Sequence, residues 1–279
     1  MVRMCFNYHR SGEYNDVVDE LNILHTSDTI EDLTIFLSKH PKQRINFCIS
    51  DLDAFLEEEW ITALSKMEQK DNLVIRLKKR ANEPINGTVQ SELEEAAIPF
   101  YYTEVATDWD VFNGLIDQGV SDVYVGNILG FELDKVAAAA HQRGVSVRVF
   151  PNIAQSAWNG TNPVVNFFIR PEDLIFYSDY VDCFELFELG NKSITDPNTL
   201  YDVYKYDKQW FGDLRGIILY LKQPIENRAL DDQWARSRVK CGKSCAKGGN
   251  CRICYKLVEM SENMTQKEIE LNRFLSKKV

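Results

Sequence analysis

Gly119-Val-Ser-Asp-Val-Tyr-Val-Gly126, then the alanine-rich run from Phe131 to Gln142, then Gly144 and Val145-Ser-Val-Arg-Val-Phe150, read as strand, helix, strand. The two flanking runs are short and rich in β-branched and aromatic residues, the composition that fits a pleated surface. They are also apolar at most positions, which suits parallel strands covered on both faces. Alanine is the strongest helix former, and the glycine after the middle run supplies a stop. A strand–helix–strand unit of this size is the repeat of α/β folds.

Working outward, the same alternation recurs. Candidate strands are Arg3–His9, Arg44–Ser50, Asn72–Lys78, Pro99–Val105 and Asp122–Gly126, then Val145–Phe150, Val165–Arg170, Asp182–Glu188 and Gly216–Leu221. Between them, Asp53 can cap a helix carrying Leu56, Trp60, Leu64 and Met67 on one face. Thr107 can cap another through Val111 and Leu115 to a stop at Gly119. Pro171 suits the first turn of a helix over Glu172–Tyr180. About eight alternations in this length favour a (β/α)8 TIM-like barrel over an open doubly wound sheet. The expected division is a barrel over 1–232 and a basic, cysteine-bearing segment with a tail helix over 233–279.

The chain has 279 residues, 44% hydrophobic and 27% charged, with a formal charge of −10. Those values exclude a disordered chain, a collagen-like repeat and a disulfide miniprotein. No window approaches the ~18 apolar residues of a membrane span, and no export signal opens the chain. A cytoplasmic location without membrane contact is the expectation. From Gln233 to Lys256 there are seven basic residues and no acidic one, which leaves −17 on the remainder.

Four of the seven cysteines crowd into Cys241-Gly-Lys-Ser-Cys245-Ala-Lys-Gly-Gly-Asn-Cys251-Arg-Ile-Cys254. Intervening glycines free the backbone to wrap, and thiolates are soft ligands. The four are expected to bind metal: a [4Fe–4S] cluster, one thiolate per iron, or a tetrahedral structural Zn²⁺. Five residues separate the inner pair, against about 15–20 in zinc ribbons, so a compact iron–sulfur cluster is the preferred reading. Cys5, Cys48 and Cys183 read as buried apolar side chains, with Cys183 an exception if it faces the barrel interior.

Chemistry in such barrels sits at the C-terminal strand ends. Those ends carry Tyr8, His9, Arg10, Asp51, Asp53, Glu104, Asn127, Asn152, Arg170, Glu185 and Glu188. Of these, Glu185 and Glu104 are candidate proton-transfer residues, and Asn127, Asn152 and Arg170 candidates for holding a carboxylate or phosphate. No nucleophile elbow, Walker loop, dinucleotide glycine motif or His-Glu-x-x-His is present.

Two segments resemble the peptidase U32-like family of (β/α)-barrel proteins. Gly119-Val-Ser-Asp-Val-Tyr-Val-Gly126 is similar to its strand ending in Tyr-Val-Gly. Arg170-Pro-Glu-Asp-Leu174 with Tyr180-Val-Asp-Cys-Phe-Glu-Leu186 is similar to a second strand motif. The similarity spans about residues 119–190, and the cysteine run lies further C-terminal than that family's own. The resemblance implies an iron–sulfur enzyme modifying RNA or an aromatic metabolite, including oxygen-independent hydroxylation. Its substrate would be a small molecule or RNA, whose phosphate backbone could meet Arg236, Arg238, Lys240, Lys243, Lys247 and Arg252. The alternative is a non-catalytic barrel serving as a binding or assembly module, with the cysteines a structural Zn²⁺ site.

Overall fold

The structure is a computed structural model that describes residues 3–7, 19–24, 30–49, 55, 60–67, 70–78, 85–126, 129, 132–154, 167–187, 197–221, 225–230, 232–239, 241, 263 and 267. Among the described residues eight strands carry it: β1 (Arg3–Asn7), β2 (Glu20–Leu24), β3 (Arg44–Ile49), β4 (Leu73–Lys78), β5 (Phe100–Ala106), β6 (Asp122–Val125), β7 (Ser146–Val149) and β8 (Cys183–Phe187). Each pairs in parallel with its neighbours in chain order. Pairing of β1 with β8, Cys5 opposite Glu185, closes the ring into a barrel.

Helices α1 (Ile30–Lys39), α2 (Trp60–Ser65), α3 (Gly87–Glu95), α4 (Trp109–Asp117) and α5 (Leu133–His141) lie between β2 and β7. Local chemistry sets their ends. The Asn86 side chain accepts from Thr88 N and Val89 N at 3.1 and 3.3 Å and so caps α3. Asp108, not Thr107, caps α4 by accepting from Val111 N at 2.9 Å; the Thr107 hydroxyl donates to Asp108 instead. Gly119 and Gly144 follow α4 and α5 with φ of +81° and +69°, where a side chain would strain the backbone.

The crossovers at either end of the order are less regular. The chain between β1 and β2 lies outside the described residues. Between β7 and β8 runs a 3₁₀ turn, Pro171–Phe176, where an α-helix was expected. Phe167–Arg170 before it is buried but belongs to no strand of the barrel, and 216–221 holds the end of a 3₁₀ turn, Leu214–Gly216. Phe167–Arg170 packs beneath Tyr204 and Trp234, whereas Leu219 of the second stretch is bonded to Asn152 and Ala154 and its Tyr220 is exposed. The ladder position expected of them falls to β2, whose Glu-Leu-Asn-Ile-Leu alternates polar and apolar.

That alternation runs round the ring. Register puts Leu21, Ile45, Phe47, Ile75, Val123, Val147 and Phe184 on the outer face, fully or nearly fully buried. They pack against Leu33 and Leu37 of α1, Trp60 and Leu64 of α2, Val89 and Leu93 of α3, and Phe112 and Leu115 of α4. Each such side chain contributes about 1.5–3 kcal/mol, so the shell between strands and helices stabilises the fold.

Helices α6 (Pro197–Lys205) and α7 (Asp232–Val239) close the described part. The 232/233 division falls within α7, whose Trp234, Ala235 and Val239 join the same buried cluster. Arg170 ties this region together. It grips Asp173 through two bonds of 2.5 and 2.8 Å, donates to Leu230 O at 2.6 Å and Asn227 Oδ1 at 3.1 Å, and lies over the Trp234 ring.

Candidate active site in the barrel lumen

Barrels of this kind commonly fill their interior with branched aliphatic side chains. Here the inward positions are polar. Glu20 and Asn22 come from β2, Arg44, Asn46 and Cys48 from β3, Arg76 from β4, and Tyr101 and Thr103 from β5. Asp122 and Tyr124 come from β6, Arg148 from β7, and Cys183 and Glu185 from β8. Contacts between strands that are not neighbours in the sheet, such as Arg76 with Glu185 and Arg148 with Glu20, place these groups across a common lumen.

Nearer the C-terminal ends, Glu185 is the hub. Arg76 Nη1 donates to both its oxygens at 3.3 Å, and the Tyr124 hydroxyl donates to Oε2. The Arg76 guanidinium also lies 4.7 Å from the Tyr124 ring centroid. Glu185 is 1% exposed and Arg76 14%, so the cation lies nearer the opening. Phe150 stacks on Tyr124 at 4.6 Å, and Phe187 meets Phe150 edge-on at 5.0 Å. An aromatic rim therefore stands beside a carboxylate, a phenol and a guanidinium.

Toward the N-terminal ends, Arg148 is fully buried. Its Nε donates to Asp122 at 2.9 Å and its Nη1 to Cys183 Sγ at 3.3 Å, with Glu20 at 3.8 Å and Glu185 at 4.0 Å. Asn46 Nδ2 donates to Glu20 at 3.1 Å and to Asn22 at 2.8 Å. Cys183 does face the interior, and so do Cys5 and Cys48.

Burial sets the protonation states. It pushes the Tyr124 phenol well above its ordinary value, aided by Glu185 and opposed by Arg76 and Arg148. The Cys48 thiol is pushed up to about 11 by burial, against the pull of Arg76. Burial works against the charge of Arg76, but Glu185, Cys48 and Tyr124 outweigh it and hold the guanidinium ionised. The result is a neutral donor and a fixed cation on one carboxylate, an arrangement able to move a proton to or from a bound substrate.

Of the residues expected to act, Glu185 alone is placed at this hub. Glu104 sits on the outer face in register with Val123 and accepts from Val105 N at 2.7 Å. Asn152 is buried, exchanging bonds of 2.7 and 3.0 Å with the carbonyl and N–H of Phe187. Both its amide groups are committed to backbone. Arg170 is committed to the clamp described above. Asn127, Cys245, Cys251, Cys254, Lys240, Lys243, Lys247 and Arg252 lie outside the described residues. Cys241 is a free, half-buried thiol just after α7. Arg238 is turned inward, 1% exposed against the Trp234 and Phe168 rings, and so is withdrawn from any phosphate backbone; Arg236 is exposed beside Phe176. Arg76, Tyr124, Arg148, Asp122 and Glu20 were not anticipated. Their signal is the two-residue period of polar groups inside otherwise apolar strands, as in Val147-Arg148-Val149.

Among the described residues, no group of three or more His, Cys, Asp or Glu could hold a metal ion, and no helix is long and apolar enough to cross a membrane. No family model and no curated protein matches the chain. Among solved structures it is similar to the tryptophan synthase alpha subunit of Legionella pneumophila str. Paris, at 10% identity and a TM-score of 0.43, covering 89% of this chain and 94% of that one. It is also similar to an aldo-keto reductase from Bacillus halodurans in apo form, at 11% identity and a TM-score of 0.45, covering 81% and 82%.

Proposed function

We propose that the chain is a barrel enzyme performing acid–base chemistry on a small polar substrate that enters at the C-terminal strand ends. The observation that carries this is the Glu185 carboxylate held by Arg76 and Tyr124 under a partly exposed aromatic rim. Glu185 transfers the proton, Tyr124 donates to the carboxylate and fixes its orientation, and Arg76 meets the polar end of the substrate. A rim of Phe150 and Phe187 favours a substrate with a flat apolar part. The test is a mass-spectrometric turnover screen over pooled metabolites. Glu185→Gln should reduce conversion by a factor of about 10²–10⁴, the usual contribution of a positioned acid or base. Equal turnover by the folded variant would remove Glu185 from the chemistry.

The cysteine run supports a second component of this reading. Cys241, Cys245, Cys251 and Cys254 are four soft donors in a glycine-rich stretch of sequence, a set that fits a [4Fe–4S] cluster and would extend the activity to redox modification of RNA or an aromatic metabolite. Held instead by one Zn²⁺, the loop would be a staple and the barrel a binding or assembly module. Protein purified without oxygen decides: about four irons per chain with broad visible absorbance, or one zinc and no colour.

A further inference from the structure

We infer that the inner half of the lumen is a binding subsite for the uncharged carbonyl oxygen of a small planar ligand. The inference goes beyond the proposed proton chemistry and does not require it.

Most buried lumen side chains have partners. Three atoms do not: Tyr101 Oη, Thr103 Oγ1 and Arg148 Nη2 are buried without a hydrogen-bond partner among the described residues. They share one wall. Tyr101 and Thr103 occupy alternate inward positions of β5, Thr103 is in register with Asp122 on β6, and Asp122 accepts from Arg148 Nε on β7. The Arg148 guanidinium lies 5.3 Å from the Tyr101 ring centroid.

Leaving a buried donor unmade costs about 1–3 kcal/mol, and native proteins rarely leave one. The guanidinium nitrogen can only donate, and the phenol and the threonine hydroxyl, which can also accept, each have a proton to give. Burial keeps the Tyr101 phenol protonated, so it remains a donor throughout the neutral range. What the wall lacks is an acceptor.

Charge decides which kind. Among the described lumen side chains that are at least partly buried, Arg44, Arg76 and Arg148 face Glu20, Asp122 and Glu185, three cations against three carboxylates, and the last two cations already have acidic partners. A ligand carboxylate would add uncompensated charge beside Asp122 and Glu20 in a site with little water to screen it. An amide or other neutral carbonyl supplies the acceptor without that cost. The aromatic side chains of Tyr124 and Phe150, stacked on each other at the rim, suit a ligand with a flat body.

The test uses benzamide and acetamide against benzoate and acetate, with binding measured by calorimetry and by the shift in thermal midpoint. At least one amide should bind saturably to the native chain and more tightly than its carboxylate. Tyr101→Phe and Thr103→Val keep the shape of the wall, and each should weaken amide binding about tenfold, the worth of one buried hydrogen bond. Circular dichroism of each variant checks that the fold is kept. Thr103→Val, which meets neither Glu185 nor Arg76, should lose amide affinity while leaving any Glu185-dependent turnover in place, so loss of this subsite and loss of turnover are separable. No saturable amide binding would mean that water alone satisfies the three donors and would overturn the inference. Unchanged affinity in the Tyr101→Phe, Thr103→Val double variant, or tighter binding of the carboxylates, would overturn it equally.

Discussion

Replacing Arg148 by methionine isolates the energetics of the lumen, because the two side chains are similar in length and only the guanidinium is lost. That group sits at 2.9 Å from Asp122, 3.8 Å from Glu20 and 4.0 Å from Glu185, with no exposure to solvent. At an effective dielectric of about 20, a charge pair at about 4 Å interacts by about 4 kcal/mol before desolvation is counted. Removing one partner of a buried ion pair costs about 3–5 kcal/mol, because the carboxylates left behind stay buried. Against this, the variant also removes the unpartnered Nη2, which relieves about 1–3 kcal/mol. The expectation is therefore a net loss of about 2 kcal/mol, or about 4–8 °C in thermal midpoint. Urea unfolding from pH 8 to pH 5 is the assay. The gap to the native chain should narrow as pH falls, because protonating the stranded carboxylates removes their buried charge. A loss below about 1 kcal/mol with no pH dependence would mean that solvent screens these acids, and the reading of a dry, charge-balanced lumen would fail.

Burial raises the phenols of Tyr101, Tyr124, Tyr177, Tyr201 and Tyr204 above their ordinary value. Their contribution to stability is fully present below the unfolded value near 10 and is lost as pH rises through the folded values. Tyrosinate absorbance should show these five silent until the chain unfolds cooperatively in alkali; titration of all twelve tyrosines before loss of circular dichroism would contradict their burial. Arg170→Lys cannot reproduce the two-pronged grip on Asp173 and should cost about 2–3 kcal/mol in urea unfolding while leaving amide binding unchanged. An intact midpoint with lost binding would return Arg170 to the substrate. Asn152→Ala unpairs the N–H and carbonyl of Phe187 and should cost about 1–3 kcal/mol, with faster hydrogen exchange at that amide; exchange at the native rate would show that another group holds the end of β8.

Most of the barrel was legible because its outer face is regular. In β3, β4 and β8 the apolar positions meet helices, and composition alone marks them as strands. β2 escaped for a physical reason: Glu20 and Asn22 point into a polar lumen, so Glu-Leu-Asn-Ile-Leu lacks the apolar character of a strand covered on both faces. Phe167–Arg170 misled in the opposite direction, being apolar through burial under α6 and α7, and 216–221 misled because its pairing is an isolated bridge to 152–154 outside the barrel ladder. The same asymmetry governs the site. Glu185 stands out by its place in a strand, whereas Arg76, Tyr124 and Arg148 meet partners up to 128 residues away in sequence. Arg170 and Asn152 have side chains suited to ligands, but backbone and a neighbouring carboxylate claim them first, and only three-dimensional proximity shows it.

Closure of the ring has a consequence for how the chain is made. β1 leaves the ribosome first, yet the partner that completes it, Glu185 opposite Cys5, follows 180 residues later. At about 5–20 residues per second, the opening strand waits on the order of ten seconds or more with one edge unmatched. During that interval Arg76 and Arg148 are already synthesised and Glu185 is not, so the nascent lumen is richer in positive charge than the finished one. The last strand thus delivers both the missing edge and the counter-charge in a single step, and shortening the chain before β8 should leave a product open in its ladder and unbalanced in its interior together.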